Sequence, residues 1–155
     1  MGTIVIRPCE AEDIEAAVRV WERARWDAQQ PHMVERVRYT HEGNVEHFRD
    51  VVVHENDVWL AVVDGDVVGL LAFGDDIVRQ IHVDPARQRM GVGTALMDHA
   101  KALMPGGITL STFQGNTKSR SFYERSGFRA VEFGVSPHPE NEPDVTYAWT
   151  PDSGD

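Results

Sequence analysis

Gly91 and Gly93 close a segment, Val83-Asp84-Pro85-Ala86-Arg87-Gln88-Arg89-Met90-Gly91-Val92-Gly93, that leaves a β-type run and enters a helix-forming one. A helix start presents N–H groups without helical acceptors and a partial positive charge, so such a junction either holds an anion or simply turns tightly between packed elements. Glycine lets the backbone come close to a phosphate. Arg79, Arg87 and Arg89 crowd around the same stretch of a chain whose formal charge is −10. That overall charge repels nucleic-acid phosphates, and a polynucleotide partner is not expected.

Two well-known phosphate loops do not fit. A dinucleotide fingerprint needs GxGxxG, and Leu96 stands where the third glycine belongs. A triphosphate loop needs GxxxxGK followed by Ser or Thr, which is also missing. Among other reactive side chains, His82 lies in the run Ile77 to Val83. Its imidazole titrates near neutrality, and in a strand it faces away from Ile81 and Val83, so it is either a base or a structural histidine. Cys9, the one cysteine, has no partner for an internal disulfide, and nothing beside it marks an activated thiol.

The elements that must position these groups are readable from periodicity. Thr3 to Arg7 is a β-type run; Glu12 and Asp13 then open a helix with Ile14, Ala17, Val18, Trp21 and Ala24 on one stripe. His41 to Val52 reads as a second, shorter helix with Val45, Phe48 and Val52 on one side. Two β-rich runs flank Asp64-Gly65, a dipeptide suited to the left-handed turn of a hairpin. The run Ile77 to Val83 is the next strand, and the helix after Gly91 carries Val92, Ala95, Leu96, His99 and Leu103 on its stripe. Ile108 to Phe113 is reached through that helix, which predicts a parallel pairing with Ile77 to Val83. Asn116 to Phe128 forms a last helix that Gly127 ends in the left-handed conformation. Two final strands, about Phe128 to Phe133 and Asp144 to Thr150, flank a loop rich in proline and acids.

The segment Gln88 to Gly93 fits the pattern Q/R-x-x-G-x-G/A and resembles the acetyl-coenzyme A motif of the GCN5-related N-acetyltransferase (GNAT) family. Asn116-Thr117-Lys118-Ser119-Arg120-Ser121-Phe122-Tyr123-Glu124-Arg125-Ser126-Gly127-Phe128 resembles that family's later motif, with Ser119 where Ala or Ser is usual. The early Ile6-Arg7-Pro8 and the Asp64 hairpin extend the likeness over nearly the whole chain. The resemblance implies a mixed α/β (α+β) fold: a central sheet of about seven strands, mostly antiparallel with one splayed parallel pair, flanked by about four helices. It implies acetyl-CoA as donor and direct attack by a primary amine in a ternary complex, with no role for Cys9. Residues 81–83 (Ile81, His82, Val83) would take the pantetheine arm. Gln88, Arg89, Met90, Gly91, Val92, Gly93 and Thr94 would take the pyrophosphate. Asn116 serves either as helix cap or coenzyme contact. Tyr123 would give a proton to the leaving sulfur, as a group with a pKa of about 10 does at neutral pH. Ile77 occupies the place where many relatives carry a catalytic glutamate; Asp75, Asp76 and His82 are the nearby substitutes.

The acceptor site is expected between the first two helices and the last strands, with Trp26, His32, Met33 and the acids of residues 136–144 nearby. A small-molecule amine is the first expectation; a peptide or protein N-terminus or lysine, or a non-catalytic acyl-CoA-binding regulatory module, are the alternatives. Residues 1–150 are expected to form one domain and 151–155 a short tail. One cysteine, the lack of a charged-then-apolar leader, and no apolar run of about 20 residues suit a cytoplasmic protein without a membrane partner. The family's frequent dimers make a homodimer one expectation, and no metal is called for.

Overall fold

The structure is a computed structural model and describes residues 2–28, 40–137 and 141–151. Its seven strands are β1 (Ile4–Pro8), β2 (Asp57–Val63), β3 (Asp66–Gly74), β4 (Ile77–Val83), β5 (Ile108–Phe113), β6 (Arg129–Val135) and β7 (Pro143–Trp149). They form one sheet in the order β1-β2-β3-β4-β5-β7-β6. Neighbours are antiparallel except for β4 and β5. Four helices accompany them among the described residues: α1 (Ile14–Ala28), α2 (running from His41–His47 through a π-type turn, Phe48–Val52, to Val53–Glu55), α3 (Val92–Leu103) and α4 (Thr117–Arg125).

Local chemistry explains the turns. Asp64 and Gly65 both have positive φ, 52° and 84°, as the hairpin between β2 and β3 requires. Asp75 and Asp76 do the same between β3 and β4, with φ of 55° and 62°. Aspartate tolerates that conformation better than bulky residues do, so these two acids are turn formers. The Asp13 carboxylate accepts from the Glu10 N–H at 2.8 Å and forks onto Arg7 at 2.7 and 2.9 Å, which sets the entry into α1.

Both faces of the sheet are covered, so β3 reads as a nearly continuous apolar run. Leu70 and Ala72 point towards α1 and α2, where they meet Val18, Trp21 and Phe48. Leu71 and Phe73 point to the other side, onto Leu96, Met97 and Tyr147. The α3 stripe lies rotated from the sequence expectation: Val92, Leu96, Met97 and Ala100 are buried, whereas Leu103 is 44% exposed. The buried face is centred towards Leu96, Ala100 and Met97, and Leu103, the last residue of the helix, lies at the margin of that face and reaches water. Val145 and Tyr147 of β7 are core residues, fully enclosed.

The feature that makes the site is a failed pairing. β4 and β5 are parallel partners only at Ile77 and Thr109. The Thr109 N–H reaches the Asp76 carbonyl at 3.0 Å, and beyond it the strands diverge. The helix that connects them, α3, packs on one side of the opening.

Candidate active site

The loop that ends β4 is braced before it reaches the helix. The Asp84 carboxylate accepts from the Ala86 N–H at 3.0 Å and takes two bonds from Arg23 of α1, at 3.1 and 2.8 Å. Arg87 is spent on Asp66 at 3.1 Å, and Arg79 on the Gly74 carbonyl at 2.8 Å. Of the three arginines near the motif, Arg89 is the exposed one without such a bond among the described residues, and its φ is +68°.

Gly91 caps α3 at φ +85°, with no side-chain cap. The first helical bond of the turn runs from the Ala95 N–H to the Gly91 carbonyl at 2.9 Å. The N–H groups of Val92, Gly93 and Thr94 therefore precede the helical ladder and suit an anion. The two glycines do different work. A Cβ on Gly91 would meet nothing within 4 Å, so that position stays open and left-handed; one on Gly93 would lie 3.3 Å from the Phe122 ring. Gly93 thus lets α3 approach α4. Val92 is a core side chain, so only its backbone faces the loop, and Met90 packs partly against the core. Thr94 lines a smaller hollow of about 370 Å³ between α3 and α4.

Between the diverging strands runs a cleft of about 1170 Å³. Ile81, His82, Val83, Gln88, Asn116 and Tyr123 all line it. Arg89, Met90, Gly91, Val92 and Gly93 do not line it; they form the loop and helix start beside it. Asn116 caps α4, its Oδ1 accepting from the Ser119 N–H at 3.1 Å, while also lining the cleft. Tyr123 is buried among Phe122, Phe128 and Tyr147, with ring centroids 5.7 to 6.1 Å away. Burial pushes its hydroxyl up to about 12, with the Ser119 hydroxyl pulling the other way, so it stays protonated at neutral pH.

His82 pairs in register with Leu70 and therefore faces α1, not the α3 side. Burial, helped by the Arg25 guanidinium, pushes its imidazole down to about 4 and keeps it neutral. Its Nε2 lies 2.6 Å from Gln80 Oε1, two residues back on the same strand face. Gln80 was not singled out by sequence reasoning; the signal for it was that i, i−2 relation. Trp21, Arg25, Asn44 and His47 supply the helical wall of the same cleft.

That wall is held together by a histidine between two glutamates. His41 Nδ1 lies 2.9 Å from both Glu22 oxygens and its Nε2 lies 2.6 Å from Glu15. Glu22 also accepts from the Asn44 amide at 2.8 Å, tying α2 to α1. These carboxylates, Glu22 foremost, raise the His41 pKa above its ordinary value. Trp26's side chain, His32 and Met33 lie outside the described residues, as do positions 138–140 of the acidic loop. Cys9 is half-buried; burial and then Asp13 push its thiol up to about 11, so it offers no thiolate.

A parallel pair that splays, a glycine-opened helix start beside it and a tyrosine in the cleft define an acyl-coenzyme A transferase type of site. The chain belongs to the acetyltransferase (GNAT) family, whose sequence profile matches residues 16–128. It is 30% identical to the peptidyl-lysine N-acetyltransferase YjaB of Salmonella typhimurium over 129 residues, 83% of this chain and 85% of that protein. YjaB of Escherichia coli is 28% identical over 83% of this chain and 84% of its own. The apo solution structure of E. coli YjaB superposes with a TM-score of 0.73 at 25% identity, covering 95% of this chain and 97% of that one. The ribosomal-protein-S18-alanine N-acetyltransferase of E. coli shares the fold, with a TM-score of 0.68 at 18% identity over 95% and 93% of the two chains. The protein is an acetyl-CoA-dependent N-acetyltransferase. No helix among the described residues is long and apolar enough to cross a membrane.

Proposed function

We propose that the acceptor is the ε-amine of a lysine side chain in a peptide or protein. The likeness to peptidyl-lysine N-acetyltransferases over 83% of the chain carries this reading. It takes precedence over the small-molecule amine that the sequence first suggested. A cleft of about 1170 Å³ supports it, being roomy enough for a thioester arm from one end and a lysine side chain from the other. One cysteine in 155 residues suits a reducing compartment, and we assign the cytoplasm.

On this reading the N–H groups of Val92, Gly93 and Thr94, opened by Gly91, hold the pyrophosphate of acetyl-CoA, with Gln88, Arg89 and Met90 leading into them. The backbone of Ile81 and Val83 takes the pantetheine arm as an added strand, and Asn116 flanks it. A lysine ammonium, with a pKa of about 10.4, must lose a proton before it attacks. The neutral nitrogen then bonds to the thioester carbonyl carbon. As the C–N bond forms and the C–S bond breaks, the nitrogen's surplus proton passes by His82 to water. Tyr123 gives its proton to the sulfur and recovers one from solvent. The products are an amide and a free thiol, so the balance is complete without an acyl-enzyme.

The test is acetyl transfer from acetyl-CoA to poly-L-lysine and to a panel of lysine-bearing peptides, with a panel of small amines in parallel, read by mass spectrometry. Acetyl-lysine is the expected product. Transfer confined to the small amines would overturn the acceptor assignment.

A further inference from the structure

We propose that Gln80 is a positioning residue for His82: its amide oxygen accepts the Nε2 hydrogen of the ring and so fixes the tautomer whose lone pair, on Nδ1, is offered to the incoming amine. The inference rests on the role given to His82 above. Its basis is geometric. Residues 80 and 82 occupy one face of β4, opposite Ala72 and Leu70, and that face looks towards α1. The 2.6 Å contact joins Nε2 to Oε1, an atom that can only accept, so the hydrogen of a neutral imidazole sits on Nε2. Both side chains line the cleft. The other ring nitrogen has no hydrogen-bond partner among the described residues.

Neutrality of the ring is what gives a fixed tautomer meaning, since an imidazolium donates from both nitrogens. Burial and Arg25 keep it neutral at working pH. The other charged or titratable side chains sharing the cleft are His47 from α2, Arg79 from β4, Lys118 and Tyr123 from α4, and Asp144 from β7. Most are cationic or neutral, which disfavours a second proton on His82. So weakly basic a ring does not store the proton taken from the amine: Nδ1 accepts the amine N–H, and as the C–N bond forms the proton leaves from that same nitrogen to solvent in the cleft, while Nε2–H stays on Gln80. A mobile tautomer would present a donor to the amine half of the time and block that transfer.

The experiment is long-range proton–nitrogen NMR of the full chain, with kinetics using acetyl-CoA and poly-L-lysine. In the wild type His82 is expected as the single Nε2–H tautomer. Gln80→Leu should give a mixed tautomer and lower kcat about twofold, with KM for acetyl-CoA unchanged. Gln80→Glu should restore the single tautomer, recover most of kcat, and bring an acid limb into the pH profile, because a carboxylate raises the imidazole pKa. An Nδ1–H tautomer in the wild type, or an unchanged tautomer in Gln80→Leu, would overturn the positioning role. His82→Ala separates the two levels: unchanged kcat there would remove the role of His82 itself, whereas lost kcat alongside an indifferent Gln80→Leu would remove only that of Gln80.

Discussion

Tyr123 combines burial with access: its ring is packed on three sides by aromatic neighbours while the side chain still lines the cleft. A hydroxyl pushed up to about 12 stays protonated at neutral pH, so it is available to hydrogen-bond the sulfur as negative charge builds there and to share its proton while the C–S bond breaks. Tyr123→Phe keeps the ring packing and removes the hydroxyl, with its proton and its hydrogen bond to Ser119. It should lower kcat by about 100-fold, in the range usual for a lost acid catalyst, and leave KM for acetyl-CoA within about twofold. Steady-state kinetics with both substrates varied checks this; an unchanged kcat would remove Tyr123 from the mechanism. At the same scale, the missing family glutamate finds no replacement in Asp75 or Asp76. Their left-handed backbones and exposed side chains make them turn residues.

At the scale of elements, the start of α3 and the α1–α2 contact each carry a prediction. Gly91 sits at φ +85° in open space, so Gly91→Ala adds backbone strain without a clash. The cost in stability should be about 1 kcal/mol, seen in denaturant unfolding, with a several-fold rise in KM for acetyl-CoA as the loop relaxes. The α1–α2 wall depends on a protonated His41 held between Glu15 and Glu22. Its folded pKa is raised, so the stabilisation is fully present below the ordinary value of about 6.5 and is lost as pH rises through the higher folded value. His41→Ala should abolish that loss, as followed by amide exchange in α2 between pH 6 and 9. Retention of the pH dependence in the variant would assign it to another group. The α4–β7 contact is buttressed differently: Tyr147 Oη accepts from Arg120 at 3.0 Å and donates to Glu124 at 2.7 Å.

For the whole molecule, the histidines pull in opposite directions with pH. His82 and His99 are both lowered by burial, so the unfolded chain takes up protons first and stability falls as pH drops below about 6.5. His99 packs edge-on against Trp59 with centroids 4.2 Å apart, and its Nε2 has no hydrogen-bond partner among the described residues. His41 acts on the alkaline side. Thermal unfolding across pH 5 to 9 should therefore show a maximum near neutrality. A melting temperature still rising at pH 9 would contradict the His41 contribution.

Much of this architecture was legible beforehand because short-range rules dominate it. Asp64-Gly65 can hardly do other than turn, Gly127 ends α4 with φ +92°, and the helix between Ile77–Val83 and Ile108–Phe113 forces those strands to run parallel. The two motifs, Gln88 to Gly93 and Asn116 to Phe128, carried the family because each is a local device, a helix start and a helix with its caps. What the chain alone did not disclose depends on which residues meet across the sheet. Leu103 was assigned to the core because periodicity gives a stripe but not its orientation against a partner. Gly93 proved to face Phe122, a neighbour 29 positions away. Gln80 had no recognisable motif, since its contact with His82 matters only where β4 loses β5 and a cleft opens on the α1 side. Sequence by itself determined the elements, their order and the glycine-opened loop before α3, all set by interactions within a few residues. Only the tertiary structure decided the burial that keeps His82 neutral, the point at Ile77 and Thr109 beyond which β4 leaves β5, and the α1–α2 wall of the cleft, because burial and separation are properties of packed neighbours and not of spacing along the chain.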